Sequence, residues 1–153
     1  MVLKEQRSNP QLVKEISHIA IEYTCYVGPH KETIMQVCRP VRWSKPVSGW
    51  VKLTTDGSSL GNPSLAGGRA LIRDKAGNWV MGFARKIGKT TSFIVELWAL
   101  HDGLILCHNR NFATVEVEID AKAIVDAISN PNYYNVFVSP LMDDCRLLVS
   151  RIP

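Results

Sequence analysis

Three acidic residues stand where chemistry could be built: Asp56, Glu96 and Asp120, separated by 40 and 24 residues. Asp56 follows the alternating run Trp50-Val-Lys-Leu-Thr-Thr55 and precedes Gly57. Asp120 closes Val115-Glu-Val-Glu-Ile119 in the same way. Glu96 is the only charge between Ser92 and Leu100, set among Phe93, Ile94, Val95, Leu97, Trp98 and Ala99. A carboxylate in such surroundings is costly to desolvate unless it is paired or metal-bound. Three carboxylates gathered in one place would repel each other without a cation. Hard oxygen ligands suit Mg²⁺ or Mn²⁺, which keep waters and bind phosphate as well. Two such ions about 3.5–4 Å apart can activate water and stabilise the leaving oxygen in phosphodiester hydrolysis. Each residue alone admits a plainer role. Asp56 before Gly57 could be a turn residue, Asp120 an N-cap for a helix from Ala121, and Glu96 a glutamate favoured by a helix dipole.

The elements that would position these residues are those of an α/β unit. The Trp50–Thr55 alternation predicts a strand with Asp56 at its tip, and Gly67 to Arg73 predicts a second. Asp74-Lys-Ala-Gly-Asn78 is a hairpin turn signal, so Trp79 to Arg85 is read as a third, antiparallel strand. Arg85-Lys-Ile-Gly-Lys-Thr-Thr-Ser92 reads as a polar, basic loop ending in N-cap residues. Phe93 to His108 predicts an apolar helix and Val115 to Ile119 a fourth strand. Ala121, Ile124, Val125 and Ile128 recur at helical spacing before Asn130-Pro131, and Leu141, Cys145, Leu148 and Val149 predict a last helix. A helix between the third and fourth strands calls for a parallel crossover, hence a mixed sheet with its ligands beyond the strand ends. Ala99 and Gly103 stand at i+3 and i+7 from Glu96, so the helix face bearing Glu96 is narrow and points inward.

Residues 1–49 read as a lead-in, and residues 50–153 as the domain. Leu12, Val13, Ile16, Ile19, Ala20 and Tyr23 predict an amphipathic helix ending before Gly28-Pro29. Arg39, Arg42, Trp43, Lys45, Pro40 and Pro46 make an extended, basic linker. Apolar residues at 46% allow a real core, and 21% charged residues are too few for a self-repelling disordered chain. No run approaches the ~18 apolar residues of a membrane helix, and Lys4, Glu5 and Arg7 interrupt any secretory signal. The expectation is a soluble intracellular protein, nuclear or cytoplasmic, with no membrane partner. Cys25, Cys38, Cys107 and Cys145 lack metal-site spacing and read as free thiols in a reducing compartment. The net charge of +4 divides into +3 for residues 1–49 and +1 for the rest, so phosphate contacts must come from local clusters.

Several ordered motifs carry a resemblance. They are Gly49-Trp-Val-Lys-Leu-Thr-Thr-Asp-Gly-Ser-Ser59, Gly61-Asn-Pro63, Ala66-Gly-Gly68, Leu71-Ile-Arg-Asp-Lys-Ala-Gly-Asn-Trp79, Val95-Glu-Leu-Trp-Ala-Leu100, Asp102-Gly-Leu104 and Val117-Glu-Ile-Asp120. Residues 50–128 resemble the type 1 ribonuclease H-like domain of plant retroelement-related proteins, and Arg42-Trp43 and Pro46 resemble the segment that precedes it. The resemblance implies a five-stranded mixed sheet flanked by helices, with the fifth strand and last helix expected to fall where this chain stops. It also implies a nucleic-acid partner and hydrolysis of the RNA strand of RNA–DNA hybrids. Asp56, Glu96 and Asp120 fall on the first three positions of the family's Asp-Glu-Asp-Asp set, which holds two Mg²⁺ or Mn²⁺ ions. The fourth carboxylate belongs to the last helix; Asp143 and Asp144 precede the wrong element and read as a solvated helix face. By the same resemblance Gly57, Ser58, Ser59, Asn62 and Ser92 would lie along the hybrid's sugar-phosphate backbone, with discrimination through the 2′-hydroxyls. Asp120 departs from the family in being followed by Ala121, where a small polar residue is usual.

Three functional classes follow. The first is a metal-dependent endonuclease for RNA–DNA hybrids. The second is a catalytically impaired, retroelement-derived module that binds nucleic acid without cutting it, using Arg85, Lys86 and Lys89 with Arg39, Arg42 and Lys45 for phosphate contacts. The third is a protein-interaction role, with the fourth strand and the apolar stretch from Phe137 to Val149 seating a partner.

Overall fold

The computed structural model describes residues 43–61 and 63–152. The helix expected within residues 10–23, the linker cations Arg39 and Arg42, Cys25, Cys38 and Asn62 lie outside them. The order is β1 (Val51–Ser59), β2 (Ser64–Arg73), β3 (Trp79–Thr90), α1 (Ser92–Asn109), β4 (Val115–Ile119), α2 (Lys122–Ser129) and α3 (Ser139–Arg151). The four strands form one sheet in the order β3-β2-β1-β4. β1, β2 and β3 are antiparallel neighbours, and β4 runs parallel to β1. This is the expected mixed sheet of a ribonuclease H-like fold, with β4 at its edge among the described residues.

Boundaries differ from the sequence reading in three strands, β2 beginning at Ser64 rather than at Gly67. β1 continues past Asp56 to Ser59, so Asp56 lies within the strand rather than at its tip. β4, however, pairs with β1 only as far as Thr55↔Ile119, which leaves Asp56 just beyond the end of the parallel ladder. The segment from Arg85 to Thr90 is not a loop but the second half of β3. Gly68↔Arg85, Gly67↔Lys86, Ala66↔Gly88, Leu65↔Lys89 and Ser64↔Thr90 pair across to β2, with Ile87 taken up in a bulge. Gly88 at φ +107° accommodates that irregularity. Backbone pairing overrides the polar, glycine-containing composition that suggested a loop.

The sheet has two unlike faces, because side chains alternate along each strand. Leu53, Ala70 and Ile72 are buried in the core with Leu97, Leu100 and Leu104 of α1. Helix α1 is buried on more than one side, since α3 also packs against it. Thr91 caps α1, its Oγ1 accepting from the Ile94 N–H at 3.4 Å. Arg146 of α3 fastens the end of α2: Nη2 donates to the carbonyls of Ala127 and Asn130 at 2.9 and 2.8 Å. These are carbonyls that a helix terminus otherwise leaves unsatisfied.

On the other face lies Lys52, with its side chain only 1% exposed. Its ammonium bridges Glu116 and Glu118 of β4, each at 2.9 Å, and donates to Ser44 Oγ at 2.7 Å. Burial works against that charge, but the two glutamates more than offset it and raise the lysine pKa. Trp43 stacks on this layer, with Lys52 Nζ and Arg73 Cζ at 5.7 and 5.3 Å from its ring centre. Replacing Lys52 with Met is expected to cost roughly 2 kcal/mol, because Glu116 and Glu118, neighbours on one face of β4, would be left with no cation between them. Urea unfolding of K52M beside the triple variant K52M/E116Q/E118Q checks this. The triple variant should recover most of the loss; equal loss in both would assign the effect to packing alone.

Candidate metal centre and nucleic-acid surface

Glu96 is placed by a contact that leaves no room for a side chain. A Cβ on Gly57 would meet Glu96 N at 2.6 Å and Val95 C at 2.8 Å. Only glycine lets β1 approach the first turns of α1 so closely. Lower on the same helix face, a Cβ on Gly103 would touch Leu53 and Thr55 at 3.0–3.2 Å. Ala99 similarly packs against Gly68, whose added Cβ would lie 3.2 Å from the Ala99 Cβ. The narrow face read from Ala99 and Gly103 is therefore the face laid on the sheet.

This packing brings one carboxylate oxygen each from Asp56, Glu96 and Asp120 within 4.8 Å of one another. Glu96 is 8% exposed, whereas Asp56 is partly buried and Asp120 exposed. The Gly57 N–H lies near enough to the Glu96 carboxylate to favour its charged form, yet buried Oε2 has no hydrogen-bond partner among the described residues. Burial first, then the charge of Asp120, raises the Glu96 pKa from 4.5 to about 7, with Asp56 adding to the shift. A buried carboxyl with one unpartnered oxygen, clustered with two further carboxylates, is a donor set that suits a hard divalent cation. Asp120 does not cap the following helix: its N-cap is Ala121, with no side-chain capping bond. The carboxylate of Asp120 is thus not consumed by that simpler role.

The other residues singled out from the sequence divide by sheet face and partner. Ser58 and Lys86 line a groove of about 420 Å³ with Asp56, Gly67 and Arg69. Ser92 lies across the cluster, in a cleft of about 450 Å³ with Glu96, Asp120 and Lys122. Lys89 is exposed near the end of β3. Ser59 is occupied locally, its Oγ donating to the Gly61 carbonyl and to Thr90 O at 3.2 Å. Arg85 is tied to α1: it pairs with Asp102, and its Cζ lies 5.2 Å from the Trp98 ring centre. Cys107 and Cys145 are buried free thiols, each with its pKa pushed up to about 12 by burial, so neither supplies a thiolate ligand. Asp143 is exposed and pairs with Arg146 at 2.8 Å.

Arg69 was not anticipated from the sequence. It is the direct cross-strand partner of Asp56, and its guanidinium pairs with the Asp56 carboxylate. The available signal was positional. Once β1 and β2 are antiparallel with Gly57 opposite Gly68, the next pair must be Asp56 and Arg69.

A mixed sheet in this order, crossed by a helix that delivers a glutamate to an aspartate of β1 and one just past the end of β4, defines a ribonuclease H-like domain. The profile of the family described as Reverse transcriptase-like matches residues 54–153, and the chain belongs to that family. A protein of Arabidopsis thaliana that carries the name ribonuclease H protein is 38% identical over 116 residues, covering 74% of this chain. The matched part is only 19% of that relative's length. Among solved structures, the N-terminal RNase H domain of a Mycobacterium tuberculosis protein superposes with a TM-score of 0.63 at 24% identity. It covers 67% of this chain and 76% of that one. A compost-derived RNase H1 from a metagenomic approach, solved in complex with RNA/DNA hybrid, gives 0.53 at 28% identity over 66% of this chain and 75% of its own.

The Glu96 shift makes stability depend on pH. A carboxyl pKa raised on folding favours the folded state below the unfolded value, and that contribution is lost as pH rises through the folded value. With chelator present, the protein should lose roughly 3 kcal/mol attributable to Glu96 between about pH 4.5 and the region above pH 7. Urea midpoints across that range, for the parent and Glu96→Gln, measure it; the variant should show the flatter profile. Parallel profiles would mean that Glu96 is not protonated on folding.

Proposed function

We propose that this chain binds nucleic acid and hydrolyses the RNA strand of RNA–DNA hybrids, with divalent cations held by Asp56, Glu96 and Asp120. The observation that carries the proposal is the clustering of the three carboxylates, one of which, Glu96, is buried with an oxygen left unpartnered among the described residues. The hybrid complex of the compost RNase H1 supports the choice of substrate. The domain is taken as residues 50–153, with residues 1–49 as its lead-in.

Mg²⁺ or Mn²⁺ bound in pairs would supply an activated water and charge neutralisation at the scissile phosphate. Glu96 contributes in two ways. The nearby Gly57 N–H favours its charged form, and below about pH 7 it holds a proton that must leave before it can act as a ligand. Cation affinity should therefore weaken as pH falls below 7. Ser58 and Lys86 lie on one side of the cluster and Ser92 on the other, so a duplex backbone crossing it would meet a hydroxyl or cation on both sides. Lys89 extends the basic side. Arg85, held by Asp102 and Trp98, would act on this surface mainly through its field.

A second reading is a module that binds nucleic acid without cutting it. The Arg69–Asp56 ion pair favours it, because a carboxylate already engaged by a guanidinium is a poorer cation ligand.

Cleavage of a labelled RNA–DNA hybrid by the purified chain, with Mg²⁺, with Mn²⁺ and with chelator, separates the two. The first reading expects cutting of the RNA strand alone, only with metal, and a loss of at least about a hundredfold in Asp56→Asn while hybrid binding survives. Undiminished cutting by Asp56→Asn would refute the site. A folded protein that binds hybrid but never cuts would establish the binding module.

A further inference from the structure

We propose that Arg69 is a tethered competitor for the cation site: its guanidinium pairs with Asp56, and a divalent cation must displace it to bind. This rests on the reading of Asp56, Glu96 and Asp120 as cation ligands.

Arg69 is positioned for the part by the sheet register. It stands directly opposite Asp56 across the β1–β2 ladder, so the two side chains leave the same face at the same level. The guanidinium pairs with the Asp56 carboxylate, and its charge is also felt at Glu96. A single monovalent cation therefore acts on two of the three carboxylates, as an incoming metal ion would.

The pairing is easily reversed. The Arg69 side chain is 73% exposed and that of Asp56 33%, and ion pairs this open to solvent are weak and screened by salt. Space to move exists on both sides. Arg69 lines the groove that holds Ser58 and Lys86, and also a broader one of about 730 Å³ with Thr54, Leu71, Glu118 and Asp120. In the first groove a released guanidinium would stand beside Lys86, where a backbone phosphate could accept both. Cation and nucleic acid would then favour each other's binding, because each draws Arg69 away from the position that opposes the cation. The result is a threshold rather than a block: in the absence of nucleic acid the site fills only at a higher cation concentration.

Mn²⁺ binding to the full chain without nucleic acid, followed by the loss of the free-ion electron paramagnetic resonance signal, tests this directly. Arg69→Gln should bind Mn²⁺ about five- to tenfold more tightly than the parent, since a unit positive charge next to the site has been removed. Arg69→Lys keeps the charge and should fall between the two; it also serves if glutamine disturbs β2. Asp56→Asn should lose affinity whether or not Arg69 is present. If Asp56→Asn loses affinity but Arg69→Gln binds no more tightly than the parent, Arg69 is no competitor and the cation site stands. If Asp56→Asn binds Mn²⁺ as well as the parent, the cation-site reading itself fails.

Discussion

β1 and α1 meet at Gly57 and Glu96 at a distance that only two backbones can share, and the candidate site depends on that contact. A side chain at position 57 would collide with the amide of Glu96 and the carbonyl carbon of Val95. The strand and the helix therefore fit together at this level without a spacer, and Gly103 and Ala99 let the helix lie flat along the rest of its length. The approach does more than pack. It turns the Gly57 N–H toward the Glu96 carboxylate and puts Asp56, the preceding residue, at the same height. A helix held farther away would have had its glutamate solvated and unperturbed.

Gathering carboxylates in this way has an electrostatic cost, and three different charges can meet it. A proton on Glu96 is the first, favoured by burial and by Asp120. The guanidinium of Arg69 on Asp56 is the second. A divalent cation is the third, and only it can satisfy all three carboxylates together, because it can be reached by an oxygen from each. The first two compensations are partial: they leave Oε2 of Glu96 without a partner among the described residues. Each of these two compensations is weaker than a divalent cation reached by all three carboxylates would be.

What the sequence made legible, and what it hid, follows from the range of each interaction. Asp56, Glu96 and Asp120 each break a local pattern, as an aspartate ending an alternating run or a lone charge on an apolar helix. Each alone admits a plainer role, however, and it is the resemblance to the ribonuclease H-like family that singles them out together. The order of strands and helices was legible because periods of 2 and 3.6 are local properties. The path of β3 beyond Arg85 was not, because Lys86, Gly88 and Lys89 carry no strand signal of their own and are held extended by β2. Arg85 looked like a free basic residue, since nothing in a run of neighbours reveals Asp102 and Trp98 seventeen and thirteen residues away. Arg69 was hidden by register. Its identity was plain, but its meaning depended on which β1 residue stood opposite.

The sheet face away from α1 shows why Asp120 is not left to the short β4 alone. Five residues of β4 pair with β1, and among the described residues no strand lies on its other side. Parallel pairing over so short a length is a weak constraint on register. Lys52 supplies the missing specification. Its buried ammonium engages Glu116, its direct partner in the ladder, and Glu118, the next residue on that face. A slip of β4 by one residue would turn both glutamates to the helix side and leave a buried lysine uncompensated, which is far costlier than the loss of a surface pair. Trp43 and Ser44 close over the same lysine, so the segment before β1 helps to enforce the register. A charge-paired layer on one face of the sheet thereby fixes where β4 ends, and so where Asp120 meets Asp56 and Glu96.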